Sequence, residues 1–208
     1  MKYDNFRYIF PPRPENTIPS DELDFWDNGS LIAQPKLNGS NCVIFTNGVK
    51  SFVMNRHNQR MTNFNLTQDE INSLYRGNGG WTVINAEYMN KSNRDETKQF
   101  FNHKLVIFDI LVYNGEYLLD TTFEERIKLL DDLFGKIDEN KYLYKITDNI
   151  FRVKSFYDNF LEKWNDITKT EVFEGFVLKK KQQKLIKGLS EKNNLSHKCR
   201  RTTKNYRH

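Results

Sequence analysis

The chain has 208 residues, a net charge of +5, a mean hydropathy of −0.76 and 14% aromatic side chains. Sixteen Phe and ten Tyr can fill a sizeable core, which excludes a disordered composition, and the length suits one large domain. No signal-type apolar region opens the chain, no apolar run could cross a bilayer, and Cys42 and Cys199 lack metal-type spacing, so a cytoplasmic protein is expected.

Residues 11–19, PPRPENTIP, read as an N-terminal loop, because prolines do not fit inside helices or central strands. Residues 41–54 read as a hairpin turning at Asn47-Gly48, a pair suited to positive φ angles. Residues 81–88 and 103–113 are rich in strand formers, and the second run leads through Asn114-Gly115 into another hairpin. A helix is predicted over 122–134, with Thr122 and Glu125 in capping-box spacing and Phe123, Ile127, Leu130 and Phe134 on one face. A second is predicted over 155–166 from Ser155, with Phe156, Phe160 and Trp164 at intervals of four. Residues 171–180 add a strand. These elements predict an α+β domain, not a doubly wound parallel sheet, and neither GxGxxG nor GxxxxGK[ST] occurs.

Charge is unevenly placed. Residues 179–208 hold eleven Lys or Arg against one acid, Glu191, which leaves the first 178 residues at about −5. A basic end on an acidic body suits a polyanion, although a solvated tail would carry the same charge.

Several polar residues interrupt the strand-like runs. Lys36, in QPKLNGSNCVIF, could be a surface lysine at a strand end. Glu87 and Glu174 could be strand-edge carboxylates in salt bridges, Arg56 a turn charge, and Phe108 core packing. Asp109, amid β-branched and aromatic residues, is costly to bury unless something pairs with it.

Their order along the chain carries more. Lys36 with Gly39 and Asn41, then Arg56, Glu87, Phe108-Asp109, Glu174-Gly175 and Lys198-Cys199-Arg200 resemble the motif series of the covalent nucleotidyltransferases, the polynucleotide ligases and capping enzymes. KLNGSN resembles the nucleophile motif KxDG, NAEYM the third motif, IFDIL its aromatic-acid companion, EGFVLK the fourth and HKCR the fifth. The resemblance spans residues 34–200. DNA ligases and capping enzymes usually carry Arg two positions after the motif glycine. Here that position is Asn41, and K-x-x-G-x-N is similar to the RNA ligase 2 family. Arg56, twenty residues after the lysine, fits that family's next motif. Asn38 departs from the general Asp.

The resemblance implies a nucleotidyltransferase fold, antiparallel sheets flanked by helices with the ATP site between them. It implies an ATP-dependent RNA ligase that forms a lysyl-AMP intermediate, passes AMP to an RNA 5′-phosphate and joins it to a 3′-OH. Covalent catalysis suits this chemistry, because phosphate itself has a poor leaving group. Lys36 would be the nucleophile, its amine made neutral by nearby cations. Asn41, Arg56 and Glu87 would contact ribose or phosphates, Phe108 would stack on adenine, and Gln34 would read the adenine edge. Asp109 and Glu174 would orient the lysine or bind Mg²⁺ or Mn²⁺. Lys198 and Arg200 would hold the α-phosphate and leaving group. The flanking stretches 179–187 and 200–207 would touch the RNA backbone, with Tyr206 adding stacking.

A single nucleotidyltransferase domain, 1–208, acting as a monomer is expected, with 179–208 as its basic end. No OB-fold or C-terminal helical domain fits after Arg200. A compact DNA ligase, a GTP-using capping enzyme and a nucleic-acid-binding module without turnover are the alternatives.

Overall fold

The computed structural model describes residues 1–90, 93–95, 97–185 and 192–201, of which 192–195 by backbone alone. Its strands are β1 (Arg13–Thr17), β2 (Leu31–Leu37), β3 (Ser40–Thr46), β4 (Ser51–Asn55), β5 (Thr82–Met89), β6 (Lys104–Tyr113), β7 (Glu116–Tyr117), β8 (Ile137–Asp138), β9 (Leu143–Lys145), β10 (Ile150–Val153), β11 (Phe173–Lys180) and β12 (Lys192–Arg200). Its α-helices are α1 (Leu23–Trp26), α2 (Gln68–Asn72), α3 (Phe123–Phe134) and α4 (Phe160–Ile167).

The strands form two sheets. A four-stranded sheet runs β1-β12-β11-β2, and an eight-stranded one runs β4-β3-β5-β6-β10-β9-β8 with β7 against β6. Pairing is antiparallel except for β1 with β12 and β10 with β6. The α+β expectation therefore holds, with two parallel pairs that the local hairpin signals do not report.

The larger sheet is covered on both faces, which is why CVIF in β3 reads as a continuous apolar run. Cys42 and Ile44 join the core beneath α2 and α3, with Leu74, Leu130 and Phe134. Val43 and Phe45 face the other way and pack with Tyr3, Ile9 and Met54. A third cluster joins β2 and β11 to α4 through Ala33, Leu37, Phe160, Ile167 and Phe176.

The helix at 122–134 forms as the sequence predicts. Thr122 accepts from the Glu125 N–H and Glu125 accepts from the Thr122 N–H. The second helix does not begin at Ser155. Phe156 exchanges backbone hydrogen bonds with Ala33 of edge strand β2, both at 2.9 Å, and this pairing holds 155–158 out of the helix until Asn159. The proline-rich stretch 11–19 is also corrected. Arg13–Thr17 is a strand, and Pro14 is tolerated because β1 is an edge.

Candidate active site

A cleft of about 840 Å³ is lined from both sheets. On the four-stranded side its residues fall in rows set by strand register. Lys36 of β2 lies opposite Gly175 of β11, which lies opposite Arg200 of β12. The next row is Gln34, Val177 and Lys198. Period-two alternation puts Gln34 with Lys36, and Lys198 with Arg200, on one face. A register shift between Phe173 and Gly175 brings Glu174 into the lining, where its carboxylate accepts a hydrogen bond from the Lys36 ammonium. Gly175 has φ +146°, and a Cβ there would stand 2.2 Å from the Cys199 carbonyl oxygen, so no larger residue fits.

On the eight-stranded side Asn41 of β3 pairs with Glu87 of β5. The Gly39 N–H donates to Glu87 Oε1 at 3.2 Å, and a Cβ at Gly39 would stand 2.6 Å from the Tyr88 carbonyl oxygen. Asn41 Nδ2 donates to Asn85 Oδ1 (3.1 Å) and the Ala86 carbonyl (3.3 Å), which leaves Asn41 Oδ1 buried without a partner among the described residues. Phe108 falls at a shift in the β5–β6 register, with Ile107 and Asp109 paired on either side, and lines the cleft.

Most of the predicted residues therefore meet. Gln34, Lys36, Asn41, Arg56, Glu87, Phe108, Glu174, Lys198 and Arg200 all line one cavity. Two expectations change. Asp109 is absent from the lining. It is turned to α3, where Arg126 Nε and an Nη hold its two oxygens at 2.8 and 3.2 Å. Gln34 has both ends of its amide engaged. Its Nε2 donates to the Phe108 carbonyl (3.2 Å) and Ser155 Oγ (3.3 Å), and its Oε1 accepts from Lys179 (3.2 Å). It can read a base only by exchanging one of these bonds. Residues 186–187 and 202–207, with Tyr206, lie outside the described residues.

The sequence passes over Arg126, and it places Lys179 only in the stretch 179–187 expected to touch the RNA backbone, whereas the structure sets it in the cleft. Lys179 lines the cleft with its Nζ 5.3 Å from the Phe108 ring centroid and 4.3 Å from that of Phe123. Burial pushes its ammonium down to about 8, with Asp109 opposing and Arg126 adding to the shift. Its signal was there in EGFVLK, since it stands two residues beyond Val177 on the same strand face. Nothing local marks Arg126 as Asp109's partner.

Burial also dominates Glu87, raising its carboxyl from 4.5 to about 7. Lys36 opposes the shift and Glu174 adds to it. Lys198 is lowered, first by burial and then by Arg200, Lys36 and Arg13. The cleft thus sets Glu87, Glu174 and three or more cations around Lys36, an arrangement suited to a polyphosphate. Because Glu87 is raised in the fold, its contribution to stability is complete below pH 4.5 and is lost as pH rises toward about 7. Glu87→Gln should remove that loss. In thermal melts from pH 4 to 8, the wild type should fall relative to the variant between pH 4.5 and 7, and parallel curves would contradict this.

No group of three or more His, Cys, Asp or Glu suited to a metal occurs among the described residues. No helix among them is long and apolar enough to cross a membrane.

The family model described as ATP dependent DNA ligase domain matches residues 17–196. No curated protein matches the chain. Among solved structures the fold is similar to mycobacterial DNA ligase D complexed with ATP and MES, at TM-score 0.58 and 13% identity over 82% of this chain and 54% of that one. It is similar to the ligase domain of M. tuberculosis LigD, at 0.63 and 14% over 92% and 60%. It is also similar to the ATP-dependent DNA ligase of bacteriophage T7 in complex with ATP, at 0.56 and 14% over 92% and 68%. The chain thus spans a little over half the length of the first two.

Proposed function

Because this chain belongs to the ATP-dependent DNA ligase domain family, we propose that it activates the 5′-phosphate ends of nucleic acid for joining, through an adenylate carried on Lys36. The observation that supports this most is the placement of Lys36. It sits in one row with Gly175 and Arg200, its ammonium on Glu174, Lys198 one row away, and Asn41 and Glu87 on the facing sheet.

The chemistry follows from that arrangement. The Lys36 amine, once it has lost its proton, forms an N–P bond to the α-phosphorus of ATP. The bond from that phosphorus to the bridging oxygen breaks, and pyrophosphate leaves with the electron pair. AMP then passes to a 5′-phosphate oxygen, and a 3′-OH displaces it. Glu174 orients the nucleophile, while Lys198 and Arg200 meet the charge that grows on the α-phosphate and the leaving group. Phe108 offers its face to the base.

Glu87 and Glu174 fit a divalent ion. They are neighbouring carboxylates, one of them raised by burial and by the other's charge, and such a pair needs cations. Mg²⁺ held there would supply charge to neutralise phosphate oxygens.

The family match favours DNA ends. The residue that favours RNA is Asn41, which stands where DNA ligases usually carry Arg. The test is to incubate the protein with α-labelled ATP or GTP and Mg²⁺. Label from ATP should survive denaturation, and its absence would overturn the proposal. Sealing of nicked DNA at least tenfold faster than nicked or single-stranded RNA would fix the DNA reading, and the reverse ratio the RNA one.

Asn41 makes a second prediction. Its unpartnered Oδ1 is an acceptor, suited to a ribose hydroxyl. Wild type should prefer ATP over 2′- or 3′-deoxy-ATP by about 3- to 10-fold, the worth of one hydrogen bond. Asn41→Ala should lose that discrimination, as read from labelling rates with the three nucleotides.

A further inference from the structure

Outside the cleft, the N-terminal segment lays a row of rings across the larger sheet. Phe6 packs at 4.9 Å from Phe45 and 5.2 Å from Phe52, and Tyr8 at 4.7 Å from Phe10. Arg60 lies 5.0 Å over the Phe52 ring. Packing explains Phe45, which is fully buried, but not Phe6 and Phe10, which are 42% and 38% exposed.

The row runs toward the cleft. Tyr8 donates to the Asn55 carbonyl at 2.8 Å, and Asn55, Arg56 and His57 line the cavity. Phe10 is followed by Pro12 and Arg13, which line it too.

The two stretches that build this surface are also basic. Residues 5–14 and 47–64 contain no Asp or Glu, but hold Arg7, Arg13, Lys50, Arg56 and Arg60. They belong to a body whose first 178 residues are otherwise net acidic. Exposed rings interleaved with cations and continuous with a nucleotide-sized cleft match one kind of partner. Bases stack on rings without regard to sequence, while the cations follow the phosphates.

We propose that Phe6, Phe10 and Arg60, the last laid over Phe52, form a stacking platform for an unpaired stretch of nucleic-acid strand whose end enters the Lys36 cleft. This deepens the ligase reading and rests on it for the role of the strand, but its binding test stands apart. Paired bases keep their faces inside the duplex, so the platform favours a single strand or an overhang over a blunt duplex.

The test uses the whole chain without ATP and fluorescence anisotropy with labelled 12-mers of dT and rU and a blunt 12-bp DNA duplex, the two single strands separating DNA from RNA. Wild type should bind at least one single strand about tenfold more tightly than the duplex. Phe6→Ala with Phe10→Ala should weaken that binding about tenfold, the scale of one lost base stack. Phe10→Trp should retain it, and Arg60→Gln should lower the salt slope by about one. All variants should label Lys36 with AMP at the wild-type rate, because none of these side chains lines the cleft. Unchanged affinity in the double alanine variant, preference for the blunt duplex, or no binding by wild type would each overturn the platform. Failure of AMP labelling in wild type would instead strike the ligase reading and leave the binding result legible.

Discussion

Lys36→Ala is expected to abolish covalent labelling by α-labelled ATP, a loss of at least three orders of magnitude. No other amine in the cleft can replace it. Lys198 lies a row away on β12, and Lys179 is held by Gln34 and Asp109 beneath the Phe108 ring. A covalent route fails when its nucleophile is removed, whereas loss of a supporting contact leaves residual turnover. Joining of a strand that already carries a 5′-adenylate should survive, because that step breaks the bond to AMP by attack of the 3′-OH and does not use the lysine. Loss of both reactions would mean that the variant has lost its cleft, not its nucleophile. A melting curve addresses the same point. Without the Lys36 cation the burial of Glu87 is less opposed, so the variant should lose stability relative to wild type as pH rises past about 7, where wild-type Glu87 ionises. Equal label on Lys36→Ala and wild type would remove Lys36 from the mechanism.

What could be read from the sequence depended on whether a signal was local. The capping box at Thr122 and the hairpin at Asn47-Gly48 are complete within a few residues, and both form, the hairpin through a four-residue loop in which only Gly48 takes a positive φ. The cleft residues were legible for another reason. Their types and order match a known series, and register then gathers residues as distant as Lys36 and Glu174. The failures are all tertiary. Helix periodicity through Phe156 is overridden by pairing with Ala33, a partner more than a hundred residues away. Arg13–Thr17 becomes a strand only because β12 comes to lie beside it. The sequence marks Asp109 as a carboxylate that must be paired, but a motif cannot say whether the partner is a ligand or a guanidinium. Arg126 answers that, and its place on α3 is visible only in the fold.

Asp109→Asn should therefore act first on stability. Burial alone would push the Asp109 carboxyl up, but Arg126 and Lys179 outweigh it and hold it below the usual carboxylate range. Arg126 and Asp109 are only 1% and 3% exposed, and the guanidinium is completed by the Thr121 carbonyl at 2.8 Å. Removing the charge leaves two cations buried without their anion, which costs about 3–5 kcal/mol. In a domain of this size that lowers the melting temperature by about 10 °C. The wild-type contribution is present above pH 3.8 and is lost as pH falls through the lower native value, so the variant should lack that part of the acid transition. Replacing both partners, Asp109→Leu with Arg126→Leu, should recover much of the loss, since an apolar pair leaves no charge unpaired. The functional effect follows through Lys179, which bonds Gln34 and lies over Phe108. In Asp109→Asn the KM for ATP should rise by about tenfold or more while kcat for adenylylation changes little, because the Phe108 ring and Gln34 amide proposed to meet the base lose their support and the groups around Lys36 do not. A fall in kcat at unchanged KM and unchanged melting temperature would instead return Asp109 to the reaction itself.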